Sequence, residues 1–428
     1  MSAFEPSVEI LCVGTELLLG HVTNTNARDI SEMLSQIGMN VRWHTVVGDN
    51  PNRLRDCARI AAERADIILT TGGLGPTCDD ITKQVLAEAL GVPLVKNEEE
   101  DRCLRRFMEE RGHFTENMLQ QALLPEGCTV FHNTCGTAPG CAFTKNGVTA
   151  ILLPGPPKEC RAMMKVSVLP YLRALGKETI VSHSVRIFGI GESGVDDLFA
   201  EEMNRMTNPS MAPYAKECDC LLQITAKAET EEAAEEMCRP VMRRVIERLG
   251  DAVYGTDVET IEEAAFALLR AQGKTFATAE SCTGGGVAER FTGLPGASAY
   301  YKGGAVVYTN EAKAKLLGLD AAMIEEKGAV SYEVARDLAA HVRQKLDTDF
   351  GIGITGLAGP DGDGVHEVGT VFVSLATKDE VFVRELHLGT ERSRGFIRQM
   401  AGNHAFDMLR RAMTALPVVP EAWAGRKA

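Results

Sequence analysis

The sequence predicts an α/β protein, built as two three-layer α/β sandwich domains joined by a small α+β domain. Three observations carry this. Strand-like and helix-like segments alternate through residues 8–165, the pattern of βαβ units and a mostly parallel sheet. The texture changes between 178 and 255, where glycines are few beyond Gly189-Ile190-Gly191. Alternation then resumes from Thr256. The expected boundaries are 1–170, 178–255 and 256–416.

In the first region Val8–Val13 is β-rich, and Thr25–Ile37 has helical spacing. Val41–Val46 reads as a strand. Asn52–Arg64 carries Leu54, Ala58, Ala61 and Ala62 at helical intervals. Ile67–Thr71 is a short β-branched run, and Ile81–Leu90 is helical again. In the second region Ser182–Ile187 and Cys220–Ala228 read as strands, and Val195–Met206 and Glu231–Leu249 as helices. Thr230 is placed to cap the last of these, and its acidic start and basic end suit the helix dipole. Pro240 should kink or split it. In the third region the helices are Ile261–Ala271, Glu311–Leu317, Ser331–Leu346, capped by Ser331, and Arg394–Met413. The strands are Thr275–Ala279, Gly304–Tyr308, Phe350–Ile354, Gly369–Ala376 and Val381–Leu388. The tail from Pro417 reads as frayed.

Composition narrows the function. The 428 residues are 45% hydrophobic and 24% charged, with a formal charge of −14. That suits a globular chain and speaks against direct contact with nucleic acid or an anionic membrane. No run approaches the ~20 apolar residues of a membrane span. The start, Met-Ser-Ala-Phe-Glu-Pro, lacks the features of a signal peptide. Twelve cysteines never form Cys-x-x-Cys, so reduced thiols in a cytoplasm are expected.

Ligands of α/β sheets sit at the carboxyl ends of strands, and glycine clusters fall there. The first runs from Gly14 to Gly20, with Glu16 inside it and Asn24 and Asn26 after it. The second is Gly72-Gly73-Leu74-Gly75-Pro76-Thr77-Cys78-Asp79-Asp80, between a strand and a helix. Glycines admit a ligand close to the backbone, and a helix start favours phosphate. Asp79 and Asp80 fit better if a divalent cation bridges them to phosphate oxygens. The third is Pro154-Gly155-Pro156-Pro157-Lys158-Glu159. Each loop taken singly could be a tight turn.

The C-terminal region carries Ala-Glu-Ser-Cys-Thr-Gly-Gly at 279–285 and Tyr-Thr-Asn-Glu-Ala-Lys at 308–313. Ser281 offers a hydroxyl nucleophile at a strand-to-helix turn, where the helix N-terminus would stabilise an oxyanion. Lys313 is the proposed base. To be neutral near pH 7 its pKa must fall by about 3, a cost of about 4 kcal/mol that burial and a neighbouring cation could supply. Tyr308 would relay the proton or hold Lys313. Gly284, Gly285, Ser298 and Thr355 are expected around the substrate. Arg394 and Arg398 lie one helical turn apart, so either could grip a phosphate. Plainer readings stand beside these: Ser281 as a cap, Lys313 as a solvated lysine, Tyr308 as packing, Thr355 as a turn residue. Cys282 is a rival nucleophile.

These residues resemble the CinA (competence/damage-inducible protein) family over nearly the whole chain. The segment 70–82, Gly-Thr-Ala-Pro-Gly at 136–140 and Leu-Pro-Gly-Pro-Pro-Lys-Glu at 153–159 look like its molybdopterin-binding-like domain. Phe188–Ser193 and Ala212–Lys216 resemble its middle domain. The third region, with Gly296–Ser298, Gly328–Ser331 and Gly353–Pro360, resembles the nicotinamide mononucleotide deamidase domain called PncC. The resemblance implies hydrolysis of nicotinamide mononucleotide to nicotinate mononucleotide and ammonia, without a cofactor, by Ser281, Tyr308 and Lys313. For the first domain it implies hydrolysis of ADP-ribose or a related pyrophosphate with a divalent metal (Mg, Mn or Co). The metal would sit at Asp79 and Asp80. Glu16, Asn24, Gly72, Gly73, Gly75, Thr77, Lys158 and Glu159 would form the nucleotide site. It also implies a homodimer. Two other functions remain open: a pterin or nucleotide sensor in the first domain, or an adaptor in competence or DNA repair. Pro156, Cys160 and the segment 361–367 depart from the family pattern.

Overall fold

The computed structural model describes residues 6–35, 37–111, 116–175 and 179–420. The strands are β1 Ser7–Val13, β2 Asn40–Val47, β3 Ile67–Thr71, β4 Leu94–Lys96, β5 Leu123–Pro125, β6 Thr129–Phe131, β7 Gly140–Lys145 and β8 Val148–Leu153. They continue with β9 Thr179–Ile187, β10 Ser210–Ala215, β11 Cys220–Ala228, β12 Val253–Thr256, β13 Phe276–Glu280, β14 Tyr301–Val306, β15 Phe350–Gly356, β16 Thr370–Ala376 and β17 Val381–His387. The chain is a mixed α/β fold. Contacts divide it into two compact units, residues 1–182 with 225–238, and 183–224 with 239–428.

The first unit holds a six-stranded sheet in the order β2-β1-β3-β8-β7-β6. The four strands β2, β1, β3 and β8 run parallel, and β7 and β6 add an antiparallel edge. The inner parallel strands β1, β3 and β8 are buried and largely apolar because helices cover both faces, whereas the edge strand β2 alternates with exposed residues. Ile10, Cys12, Leu69 and Ile151 pack toward Ile30, Leu34 and Met163, whereas Leu11, Val13 and Ile68 pack toward Leu54, Ala58 and Leu86. Parallel order gathers the loops after β1, β3 and β8 at one edge, as the sequence predicts. Between 91 and 140 the structure adds β4–β6 and the helix Glu98–Arg111, whose short, mixed segments gave no clear period. A further four-stranded sheet follows the order β10-β11-β9-β12.

The second unit holds a five-stranded sheet, β14-β13-β15-β16-β17. β14, β13 and β15 are parallel, and β16 and β17 antiparallel. Alternation along β13 sends Phe276 toward Phe291, Phe406 and Leu409, and sends Ala277 and Ala279 to the opposite face with Val334, Leu338 and Val342. Gly353 in β15 lets the helix Tyr332–Lys345 approach closely, because a Cβ there would lie 2.6 Å from the Ala339 nitrogen and 2.7 Å from the Ala335 oxygen.

Four expectations need correction. The helix Glu231–Leu249 is not split at Pro240 but continues as one element, the exposed position of the proline leaving water to solvate the carbonyl that loses its donor. Strand β14 stops at Val306, short of Tyr308, because Thr309 turns the chain into a capped helix by accepting from the Ala312 nitrogen at 3.2 Å. The segment expected as one helix over 311–317 is instead a short α-turn, Asn310–Ala312, continued by a wider π-turn, Lys313–Leu317. The tail is not frayed where it is described: Val418 is buried, and its carbonyl accepts two hydrogen bonds from the fully buried Arg384, at 2.9 and 2.5 Å. Residues 421–428 lie outside the described residues.

Arg384 belongs to a buried ionic cluster. The Asp407 carboxylate, fully buried, meets Arg384 at 2.8 Å, Arg410 at 2.7 Å and Arg411 at 3.0 Å. Burial and the Arg384 charge hold the adjacent His404 well below its ordinary pKa, so its ring is neutral.

Candidate functional site

Ser281 follows β13 directly. Its N–H donates to the Ile354 carbonyl at 3.0 Å, and its own carbonyl accepts from Gly284 N–H at 3.0 Å, so the turn is tied at both ends. Gly284 and Gly285 complete it with φ of +62° and +95°, values that β-carbons disfavour. Continued alternation puts Ser281 on the Ala279 face, where the π-turn presents Lys313. The Lys313 ammonium group lies 3.4 Å from Ser281 Oγ. Both residues are buried, Ser281 at 7% and Lys313 at 1% exposure. Burial pushes the Lys313 amine below its ordinary value. No cation contributes to that shift: desolvation lowers the amine and the neighbouring Cys282 opposes it. The pair can activate a hydroxyl.

The other predicted residues are placed unevenly. Tyr308 is 58% exposed, and its hydroxyl accepts from Arg394 Nη2 at 2.8 Å rather than meeting Lys313 or Ser281. Arg394 also donates to the Gly359 carbonyl at 2.6 Å. Arg398 donates to the Thr283 carbonyl at 2.8 Å. Both arginines therefore reach the loops around Ser281. Thr355 is buried and donates to the Ala329 carbonyl at 2.7 Å, which ties the loop before Ser331 to β15. Ser298 is exposed and precedes β14, at the sheet edge opposite Ser281, because β13 and β14 run parallel from Phe276 and Tyr301. Within one chain it does not join the pocket. Burial pushes the Cys282 thiol up to about 12, which removes the rival nucleophile.

One expectation fails on a residue the sequence did not single out. The helix after Ser281 starts only at Gly286. Its N–H groups at Val287 and Ala288 donate to the buried Glu280 carboxylate at 3.0 and 2.9 Å. The helix start expected to serve an oxyanion is thus taken. Glu280 lies at a strand end, outside the three-residue spacing of a capping box, so local pattern could not reveal it.

In the first unit the three glycine loops meet at one sheet edge. Gly72, with φ +102°, is required there because a Cβ would lie 2.1 Å from the Val13 carbonyl oxygen. A Cβ on Gly73 would strike Thr82 Oγ1, and one on Gly75 would strike Asp80 Oδ2, at 2.2 and 2.4 Å. The Thr77 hydroxyl bonds both Asp79 and Asp80, to the latter at 2.6 Å, and Thr77 N–H donates to Asp80 at 2.9 Å. That hydroxyl holds the Asp79 carboxyl below its ordinary value. Among the described residues no three His, Cys, Asp or Glu side chains converge as a metal cage. Two carboxylates on one loop fit a hard cation shared with phosphate oxygens, and do not fit a protein-only site.

Asn24 caps the helix Thr25–Ser35, accepting from Ala27 N–H at 3.2 Å. Glu16 is exposed, its carboxylate against Gly14. Lys158 is exposed at the start of the helix Pro157–Met163. Glu159 turns to the Gly136 loop, where it accepts from Asn133 Nδ2 at 2.8 Å. Asn133 escaped the sequence reading because nothing near it in the chain marks a partner 26 residues on. Clefts of about 450 Å³, beside Tyr254 and Arg410, and about 140 Å³, beside Glu100 and His132, include neither Ser281 nor Lys313. None of the twelve cysteines forms a disulfide, and among the described residues no helix is long and apolar enough to cross a membrane.

Three domain families match. Residues 9–174 match the family described as "Probable molybdopterin binding domain", 182–255 the damage-inducible protein CinA KH domain, and 258–413 the CinA C-terminal domain. A CinA-like protein of Desulfovibrio desulfuricans is 46% identical over 96% of this chain and 97% of its own. A protein of Caldanaerobacter subterraneus subsp. tengcongensis, named as competence-damage inducible, is 45% identical over 94% of this chain and 97% of its own. A solved structure of a CinA protein of unknown function from Thermoplasma acidophilum is 34% identical, covers 39% of this chain and 97% of that one, and has a TM-score of 0.36.

Proposed function

Because the chain belongs to the CinA family, we propose that its C-terminal domain is a nicotinamide-nucleotide amidase, hydrolysing nicotinamide mononucleotide to nicotinate mononucleotide and ammonia. The observation that carries this reading is the buried 3.4 Å contact between Lys313 Nζ and Ser281 Oγ. A neutral Lys313 takes the Ser281 proton as Oγ attacks the carboxamide carbon. The resulting ammonium returns that proton to the departing nitrogen, releasing ammonia and leaving an acyl ester on Ser281. Water, deprotonated in turn by Lys313, cleaves the ester and restores the hydroxyl. Arg394 and Arg398 supply positive charge for the substrate phosphate. Tyr308 acts by orienting Arg394. No cofactor is needed for this sequence. The test is ammonia release from nicotinamide mononucleotide, which Ser281→Ala should abolish with the fold intact.

The first domain we read as a nucleotide site that hydrolyses ADP-ribose or a related pyrophosphate. Asp79 and Asp80 would hold a divalent cation, Mg, Mn or Co, together with the ligand's phosphates, where it would supply charge neutralisation. The Gly72–Thr77 loop and Lys158 would face the phosphates. The internal pairing of Asp80 with Thr77 favours a second reading, a sensor that binds a nucleotide or pterin without turning it over. Metal-dependent turnover of ADP-ribose separates the two. A homodimer in the cytoplasm completes the proposal.

A further inference from the structure

Asn26 sits in the first turn of the helix Thr25–Ser35, 9% exposed, between the loops that follow β3 and β8. Its Nδ2 donates to the Gly155 carbonyl at 2.7 Å and to Thr71 Oγ1 at 2.8 Å. Thr71 in turn donates to the Pro154 carbonyl at 3.0 Å. The amide cannot be flipped, because the reverse orientation would set its oxygen against the Gly155 oxygen. Both N–H groups are therefore spent. The carbonyl oxygen, Oδ1, is buried without a partner. The hydroxyl of Thr82, the first residue of the helix Thr82–Leu90, is likewise buried and unpartnered, on the other side of Gly72-Gly73.

We propose that Asn26 Oδ1 accepts a hydrogen bond from a sugar hydroxyl of the ligand whose phosphates occupy the Gly72–Thr77 loop. The inference rests on the nucleotide reading of this domain. A fixed acceptor rejects phosphate and carboxylate oxygens, which have nothing to donate. It selects a ligand with a hydroxyl close to the diphosphate, so pyrophosphate alone satisfies only half of the site. The oxygen is enclosed in this conformation, so its partner arrives with a local rearrangement. A site built to pair a ligand hydroxyl discriminates strongly against the analogue that lacks it.

The experiment is titration calorimetry of the full chain, with magnesium, against ADP-ribose, inorganic pyrophosphate and analogues of ADP-ribose that each lack one ribose hydroxyl. One deletion should weaken binding about tenfold or more, which is about 1.4 kcal/mol. Pyrophosphate should bind more weakly than ADP-ribose by at least as much. In Asn26→Ala, with folding checked by circular dichroism, ADP-ribose and that analogue should bind alike. If the variant does not fold, the ligand series on the unaltered chain decides. Deletions that all bind within twofold of ADP-ribose would overturn the role of Asn26 and leave the nucleotide site standing. No binding of ADP-ribose would overturn both.

Discussion

Lys313→Met tests the amidase reading most directly. Methionine keeps the length and apolar stem of lysine and removes only the amine. Among the described residues Lys313 is the one side chain that meets Ser281 Oγ, so no second base waits to replace it. General-base catalysis contributes roughly 10²–10⁴-fold. The loss in kcat should therefore be at least about 10²-fold, or about 2.7 kcal/mol at 1.36 kcal/mol per tenfold. Stability should move the other way. The folded chain holds Lys313 below its ordinary value of 10.5, so it binds fewer protons there than the unfolded chain does. That costs stability below pH 10.5, and the cost fades as pH rises toward that value. The variant is freed of it and should melt no lower than the parent at pH 7. In the parent, kcat/KM should rise with pH as Lys313 deprotonates, levelling off below pH 10.5. Steady-state ammonia release across pH, with thermal melts of both proteins, measures all three. A loss below about tenfold, or a parent pH profile unchanged in the variant, would refute Lys313 as the base.

Four further outcomes are expected. Ser281→Ala should release no ammonia above background, and full activity would remove the serine mechanism. Cys282→Ser should keep amidase activity within about threefold in the same assay, since a thiol near pKa 12 contributes no thiolate at neutral pH. Asp407→Ala should strip three buried guanidiniums of their shared carboxylate and cost about 3–5 kcal/mol in denaturant unfolding. EDTA should silence ADP-ribose hydrolysis and spare ammonia release; inhibition of both would contradict two separate sites.

Sequence alone determined the fold class and most elements that carry chemistry. Strand and helix periods depend on near neighbours, and so do the caps at Thr230 and Ser331, whose partners lie three residues away. The loops at Gly72 and Ser281 were legible because glycine and a strand end announce themselves locally. Tertiary structure alone decided which side chains meet. It sent Ser298 to the far edge of its sheet, turned Tyr308 to Arg394, and gave the helix start at Val287 to Glu280. It also anchored Val418 on Arg384 and left Asn26 Oδ1 without a partner. These outcomes depend on strand order, on which face a residue takes, and on groups up to 129 residues apart, as Asn26 and Gly155 are. Lys313 joins both cases. Its place after a strand could be read along the chain, but the lowering of its amine comes from exclusion of water, and only the assembled core does that.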